Sequence, residues 1–216
     1  MLSAKDLKIT FNPGTPIETR ALRGASLDIP AGQFVTVIGS NGAGKSTFLN
    51  AISGDLRVDS GTVVIDAEDV TGKPVWERSA RVARVFQDPM AGTCEDLSIE
   101  ENMALAHDRG NSRGLFKAVK NANRELYRER LATLGLGLEN RLTDRIGLLS
   151  GGQRQAVSLL MAALQPSRIL LLDEHTAALD PRTADCVLKL TARIVEQGKL
   201  TTMIVTHSMR QSLDVC

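Results

Sequence analysis

The sequence predicts an α/β fold in which a mainly parallel β-sheet is joined to an N-terminal antiparallel β subdomain and to an inserted α-helical subdomain. The first 70 residues contain short strands separated by Pro and Gly turns, which favours antiparallel pairing. Later apolar strands alternate with helical segments, as they do in βαβ units with parallel strands. Between these two regions the signals are mainly helical. We therefore expect a single domain over residues 1–216.

Length, charge and hydropathy limit the classes of function. A chain of 216 residues can bury the core of one such domain. Its 26 basic and 25 acidic side chains leave a net charge of +1, so no whole-chain field favours nucleic acid, and we expect no nucleic-acid partner. No apolar run approaches the roughly 18 residues of a membrane span. We expect a cytoplasmic protein.

The first predicted elements are strands. "LKITF", "ASLDI" and "TVVID" are short apolar runs between Pro and Gly turns. Residues 34–39 read "FVTVIG", a β-branched run ending in glycine, which predicts a buried strand that enters a tight turn. The segment "KSTFLNAIS" that follows the turn has helical periodicity. A strand, a glycine-rich loop and a helix therefore follow one another.

The later elements complete the predicted fold. Residues 99–136 carry helical signals, which we interpret as part of an inserted helical subdomain covering about residues 88–150. Near the end, "RILLLDE" and "TTMIVTH" predict two strands, and residues 182–197 between them predict a helix. This βαβ unit implies parallel strands with a right-handed crossover.

The glycine-rich loop reads "GSNGAGKST" and fits G-x-x-x-x-G-K-[ST] in full. Its glycines let successive backbone N–H groups point at phosphate oxygens, and the helix N-terminus adds a favourable dipole. Lys45 can bridge the β- and γ-phosphates of ATP, and Ser46 can bind Mg²⁺. A glycine-rich turn that binds nothing is the alternative. The predicted nucleotide-binding residues are Gly39, Ser40, Asn41, Gly42, Ala43, Gly44, Lys45, Ser46 and Thr47, and the pattern predicts a P-loop NTPase core.

The strand "ILLL" at residues 169–172 runs directly into Asp173, Glu174 and His175. Three interpretations compete: a metal-ligand cluster, an acid and base pair for catalysis, or a strand end without chemistry. A P-loop site needs a carboxylate at a strand end to hold the Mg²⁺ shell, and Asp173 supplies it. We expect Glu174 to face the water that attacks the γ-phosphate, as general base or as the group that orients this water. Mg²⁺ bound mostly through phosphate and water does not need His175, which we expect to be structural.

Residues 148–155 read "LLSGGQRQ". By itself this segment could be a helix start, with Ser150 as the cap and two glycines allowing close approach. This segment resembles the signature motif of the nucleotide-binding subunits of ATP-binding cassette (ABC) transporters. The P-loop, the Asp173–Glu174 pair and "AALD" at 177–180 accompany it in the family's motif order, and the resemblance is to subunits of importer type. The resemblance implies that this is an ATPase and that Ser150, Gly151, Gly152 and Gln153 bind the ATP held by another subunit.

The resemblance also assigns roles to Asp180 in "AALD" and to three residues outside these motifs. Gln87 in "VFQDP" matches the Q-loop, whose side chain reaches Mg²⁺ and the attacking water. His207 in "IVTHS" matches the switch histidine, which contacts the γ-phosphate and holds Glu174. Phe11 is the candidate to stack on adenine, and Asp180 of the D-loop is expected to reach across a dimer interface. His175 stands where the family usually has proline.

One copy of each motif implies that a complete site needs a second chain. We expect a homodimer or a paired cassette that shares two ATP sites. ATP would close this dimer, and hydrolysis would open it to power transport. The resemblance further implies an integral membrane permease and a solute-binding protein as partners, and a peripheral position on the inner face of the cell membrane. Family members usually continue further beyond the switch histidine, so the C-terminal end is expected to be short.

Two other functions compete with a transporter subunit. A soluble ABC ATPase that acts on DNA would need long coiled-coil arms between the P-loop and Asp173, and no such heptad tract occurs. A ribosome-linked member usually has two cassettes in one chain, whereas this chain has one. A regulatory cassette that binds ATP without hydrolysing it is the other alternative, and Glu174 and His207 argue against it. The transported substrate does not follow from the sequence.

Overall fold

The computed structural model describes residues 1–111, 119–177 and 179–206. The strands are β1 (Leu2–Phe11), β2 (Thr19–Ile29), β3 (Phe34–Ile38), β4 (Ser60–Ile65), β5 (Glu68–Asp69), β6 (Val82–Val85), β7 (Ile169–Asp173) and β8 (Thr201–Thr206). The helices are α1 (Lys45–Ser53), α2 (Val75–Arg78), α3 (Ile99–His107), α4 (Asn121–Ala132), α5 (Gly151–Ala163) and α6 (Pro181–Gly198), with 3-10 turns at Leu138–Asn140 and Ile146–Leu148.

The strands form two four-stranded sheets. The N-terminal sheet is antiparallel in the order β2-β1-β4-β5, and Leu2 on its central strand pairs with Ile29 on one side and Ile65 on the other. The second sheet is parallel in the order β3-β8-β7-β6. These sheets confirm the predicted α/β class and the N-terminal antiparallel region.

The parallel sheet lies between two apolar cores because successive side chains of a strand point to opposite faces. Along β7, Ile169 and Leu171 pack into a core with the N-terminal sheet and α1. Leu170 and Leu172 pack on the other face, in a core formed largely by α3, α4 and α5. All five residues of β7 are buried, which explains why its sequence is continuously apolar up to Asp173.

The region between β6 and α5 contains helices and turns in its described residues. α3 begins at a capping box in which the Ser98 hydroxyl accepts from the backbone N–H of Glu101 while the Glu101 carboxylate accepts from that of Ser98. α3, α4 and α5 pack on one another around the buried side chains of Met103, Tyr127 and Leu131. The subdomain boundary at about residues 88–150 stays an interpretation. Among the described helices, none is both long enough and apolar enough to cross a membrane.

Candidate functional site

The P-loop connects the end of β3 to the start of α1. Gly44 adopts φ 86° immediately before the helix, in the left-handed region that favours glycine. A Cβ at this position would lie 2.7 Å from the backbone oxygen of Ala21 on β2. The glycine of the motif is therefore required both by the turn and by the close approach of the N-terminal sheet.

Lys45 lies at the centre of this loop. Its Nζ donates hydrogen bonds to the backbone oxygens of Gly39 at 2.8 Å and Ser40 at 3.0 Å. The same Nζ is 4.0 Å from Oε1 of Glu174, and the two side chains are 8% and 11% exposed. A positive charge enclosed by a glycine-rich loop at a helix N-terminus is an arrangement suited to phosphate.

Ser46 and Asp173 form the second contact of the site. The Ser46 hydroxyl donates to Oδ1 of Asp173 at 3.2 Å, although 127 residues separate them. Asp173 reaches this position because it ends β7, two strands away from β3 across β8. A serine hydroxyl and a carboxylate are the hard oxygen ligands that Mg²⁺ accepts. Among the described residues, no cluster of three His, Cys, Asp or Glu forms a metal site. The Ser46 hydroxyl and the Asp173 carboxylate fit an ion held by few protein oxygens together with phosphate and water.

Glu174 follows directly in an unusual backbone conformation. Its φ is 41°, a left-handed value that costs a residue other than glycine about 1–3 kcal/mol. Its N–H donates to the backbone oxygen of Val205 on β8 at 2.9 Å, which anchors the turn. Because the chain turns here, Glu174 leaves the apolar sheet and presents its carboxylate near Lys45.

Arg84 is a member of this site that the sequence did not identify. It lies in β6, and its guanidinium donates to Oδ2 of Asp173 at 3.1 Å and to Oδ2 of Asp55 at 2.8 Å. The available signal was a single arginine within the apolar strand "VARV". Periodicity could not reveal its partners, since Asp173 follows 89 residues later.

Gln87 lies in the loop that follows β6 and is exposed. It borders a cavity of about 320 Å³ that is also lined by Gly151, Leu179 and His175. The structure therefore brings this loop next to the start of α5 and the segment after β7. The expected contact of Gln87 with Mg²⁺ stays a prediction.

His175 is buried, with 2% of its surface exposed. Its Nε2 is 3.1 Å from the Thr191 hydroxyl, which itself donates to the backbone oxygen of Val187 at 2.9 Å. The hydroxyl therefore accepts from His175, which assigns the proton to Nε2. Burial lowers the pKa of His175 from 6.5 to about 4, so the ring is neutral at pH 7. A neutral imidazole that ties the β7 turn to α6 fits a structural role.

The segment from Ser150 to Gln153 forms the N-terminus of α5. The Ser150 hydroxyl accepts from the N–H of Gln153 at 3.3 Å, and the Gln153 side chain accepts from the N–H of Ser150 at 3.2 Å. This capping box accounts for the serine and the glutamine locally. Ser150 and Gly151 are nevertheless exposed, so the helix N-terminus is accessible to a ligand on another molecule.

The remaining predicted site residues lie around this centre. Asp180 caps α6, where its carboxylate accepts from the N–H of Thr183 at 3.1 Å. Hydrogen bonds from the side chain of Thr183 and then from its backbone lower the pKa of Asp180. Phe11 ends β1 and is 38% exposed. β2, which pairs with β1, contacts the P-loop at Ala21. His207 lies outside the described residues.

Comparisons with known proteins show which proteins this chain is similar to. The family model described as ABC transporter matches residues 22–177. The chain is 42% identical to the "Tyrosine transport ATP-binding protein" of Clostridioides difficile (strain R20291), over 99% of this chain and 84% of that protein. It is 34% identical to an "Energy-coupling factor transporter ATP-binding protein" of Acetivibrio thermocellus, over 94% of this chain and 69% of that protein. A solved dimeric ATP-binding cassette in a post-hydrolysis state, bound to ADP and Pi, superposes with a TM-score of 0.84 at 28% identity, covering 99% of this chain and 91% of that one.

Proposed function

The chain belongs to the ABC transporter family as an ATP-binding and ATP-hydrolysing transporter subunit, and we propose that Lys45, Ser46, Asp173 and Glu174 form its catalytic centre. The observation that carries this proposal is their convergence. The Ser46 hydroxyl contacts Asp173 at 3.2 Å, and Lys45 lies 4.0 Å from Glu174, although the two members of each pair are far apart in the sequence.

Each of these residues has a role that follows from its chemistry. The loop amides of residues 39–47 and the Lys45 ammonium bind the phosphates of ATP and stabilise the charge that develops during transfer. Glu174 accepts the proton of the attacking water or orients this water, since its carboxylate projects from the strand end beside Lys45. Gln87 and His207 complete the surroundings of the γ-phosphate, and Phe11 stacks on adenine.

Ser46 and Asp173 are the residues that would hold Mg²⁺, with Gln87 as a further ligand. The ion supplies charge neutralisation of the β- and γ-phosphate oxygens when it is bound. The Ser46 hydroxyl donates its proton to Asp173, which leaves its oxygen lone pairs available to the metal. The carboxylate thus orients the hydroxyl through a hydrogen bond.

ABC cassettes form dimers, and a solved relative is dimeric with ADP and Pi bound. We propose that residues Ser150–Gln153 of one subunit close over the ATP held by the P-loop of the other. The exposed N-terminus of α5 supports this proposal, because its backbone N–H groups and dipole favour an anion. Asp180 would contact the partner from the N-terminus of α6. Such a dimer contains two ATP sites, closes with ATP and opens after hydrolysis.

Cassettes of this family work with membrane components. For this chain we propose an integral membrane permease of import type, with the cassette on the inner face of the cell membrane and a solute-binding protein in the full system. One relative is named as a tyrosine transport subunit, which supports an amino acid as the class of substrate. Transport assays with a permease that binds this cassette, comparing tyrosine with other amino acids, would test the substrate class.

Phosphate release and nucleotide binding test the catalytic assignment. Lys45→Ala is expected to lower Mg²⁺-dependent phosphate release by about 100-fold or more, because it removes the charge aimed at the phosphates. Glu174→Gln is expected to lower turnover by about 100-fold or more while ATP binding persists. Lys5→Ala and Glu129→Gln change exposed residues of the same types outside the site and are the matched controls. Phosphate release that persists in Lys45→Ala contradicts the assignment.

Size-exclusion chromatography tests the dimer. With hydrolysis slowed, Glu174→Gln is expected to shift from monomer to dimer when Mg²⁺ and ATP are added, and Ser150→Arg in the same chain is expected to abolish this shift. Dimer formation that does not depend on ATP, or that persists in the Ser150→Arg variant, would contradict the shared site.

A further inference from the structure

The guanidinium of Arg84 occupies an unusual place in the parallel sheet. Its neighbours in β6, Val82, Ala83 and Val85, are 6%, 1% and 0% exposed and pack into the two cores. Arg84 reaches from the middle of this strand to two carboxylates that lie 29 residues before and 89 residues after it in the chain. The guanidinium therefore links the segments that carry Asp55 and Asp173, and the strand pairing of β6 does not require this link.

Arg84 and Ser46 together donate hydrogen bonds to both oxygens of the Asp173 carboxylate. One arm of the guanidinium donates to Oδ2 of Asp173 at 3.1 Å, while Ser46 donates to Oδ1 at 3.2 Å. The other arm donates to Asp55 at 2.8 Å, and the Ser53 hydroxyl donates to the same Asp55 oxygen at 2.6 Å. With donors on both oxygens, the carboxylate of Asp173 has little freedom to rotate.

Burying the Arg84–Asp173 ion pair costs free energy of folding. The side chains of Arg84 and Asp173 are only 11% and 9% exposed, and a buried ion pair loses much of its attraction to desolvation. In the part of the chain that the structure describes, Nε of Arg84 has no hydrogen-bond partner. An apolar residue would suit the interior of β6 better, which indicates that the arginine serves the site and not the core.

Arg84 also contacts the segment that leads to Gln87. Its Cζ lies 4.5 Å from the ring centroid of Phe86, a cation–π contact. The backbone oxygen of Phe86 accepts from Nε2 of Gln155 on α5 at 3.3 Å. One side chain thus connects the carboxylate of the metal site with the start of the Gln87 loop.

We infer that Arg84 is a positioning residue that holds the Asp173 carboxylate in the orientation required for Mg²⁺ binding with ATP. This inference rests on the proposed function, in which Ser46 and Asp173 hold the ion. Two effects of Arg84 on Mg²⁺ oppose each other: its charge repels the ion, and its hydrogen bond orients the ligand. The group Asp55–Arg84–Asp173 carries a net charge of −1, so the repulsion is offset by the second carboxylate and orientation dominates.

The effect of Mg²⁺ on nucleotide affinity tests the inference. The affinity for a non-hydrolysable ATP analogue is measured by calorimetry with Mg²⁺ and with EDTA. Arg84→Met is expected to weaken binding in Mg²⁺ by about 10- to 100-fold and to leave binding in EDTA within about twofold of wild type. Arg84→Lys keeps the charge but cannot span both carboxylates, so we expect a smaller loss of the Mg²⁺ effect. Arg109→Met removes another partly buried arginine, outside the site, and is expected to retain the full Mg²⁺ effect.

The outcomes separate this inference from the proposed function. If Mg²⁺ does not strengthen analogue binding in the wild-type chain, the proposed metal site fails. If Mg²⁺ strengthens binding in the wild type and equally in Arg84→Met, only the role of Arg84 is overturned. Equal losses in Mg²⁺ and EDTA would also overturn it, because they indicate a general structural role. Should Arg84→Met fail to fold, retention of the full Mg²⁺ effect in both Arg84→Lys and Asp55→Asn would overturn it.

Discussion

The buried imidazole of His175 makes this protein sensitive to mild acid. In the folded chain its pKa is lowered to about 4, whereas in the unfolded chain it is near 6.5. Between these two values the unfolded state binds more protons than the folded state. The free energy of unfolding therefore falls as the pH drops from about 6.5 towards 4, and the contribution of neutral His175 is fully present only above the unfolded pKa.

The size of this loss follows from the two pKa values. Linkage gives a loss of about 2 kcal/mol by pH 5 and about 3 kcal/mol by pH 4 from this residue alone. The physical cause is burial, since a protonated ring would place a charge out of contact with water beside the Thr191 hydroxyl. Compared with typical net stabilities of about 5–15 kcal/mol, this loss is large enough to measure.

Urea unfolding at pH 7.5 and pH 5.0 measures the effect. His175→Gln retains an amide that can donate to Thr191 but does not titrate, so its loss of stability between the two pH values is expected to be about 2 kcal/mol smaller than that of the wild type. Thr191→Val is the matched control, because it removes the hydrogen-bond acceptor and keeps the imidazole. We expect it to lower stability at both pH values and to retain the wild-type pH dependence.

The reasoning requires that the wild type and His175→Gln differ in how much stability they lose between pH 7.5 and pH 5.0. Carboxylates elsewhere also contribute to acid sensitivity, but they contribute equally in wild type and in His175→Gln. Identical losses of stability in these two proteins would therefore mean that His175 is not the buried neutral group that its surroundings indicate.

Two further substitutions test the packing around the site. Gly152→Ala would place a Cβ 2.0 Å from Cγ2 of Thr183, so we expect urea unfolding to show that the free energy of unfolding falls by about 1–3 kcal/mol. Thr183→Ser in the same chain removes this methyl group and is expected to restore most of the loss. An unchanged urea midpoint in Gly152→Ala would contradict the close contact of α5 with α6. Arg78→Met removes the donor to the backbone oxygens of Ala51 and Ile52, both at 2.8 Å. We expect the free energy of unfolding to fall by about 1–3 kcal/mol and hydrogen exchange at the end of α1 to become faster. Wild-type stability in this variant would show that these carbonyls do not need the guanidinium.

Local patterns in the sequence identified most residues of the proposed catalytic centre because they lie in contiguous segments. A strand, a glycine-rich turn and a helix can be read within residues 34–53, and the observed β3 and α1 follow that order. Asp173 and Glu174 stand out because two acids end a continuously apolar run. The roles assigned to Gln87, Phe11 and His207 came from resemblance to a family, and they stay predictions.

The sequence by itself predicted most of the strands and helices and the segments that we propose to bind phosphate, since these properties depend on residues next to one another. The strand order β3-β8-β7-β6 was decided only by tertiary packing. That order places Ser46 beside Asp173 and brings Arg84 of the edge strand to the same carboxylate. It also buries His175 against Thr191 on α6. These contacts join residues far apart in the chain, and hydrophobic periodicity identifies the face a residue occupies but not the distant residue that it meets.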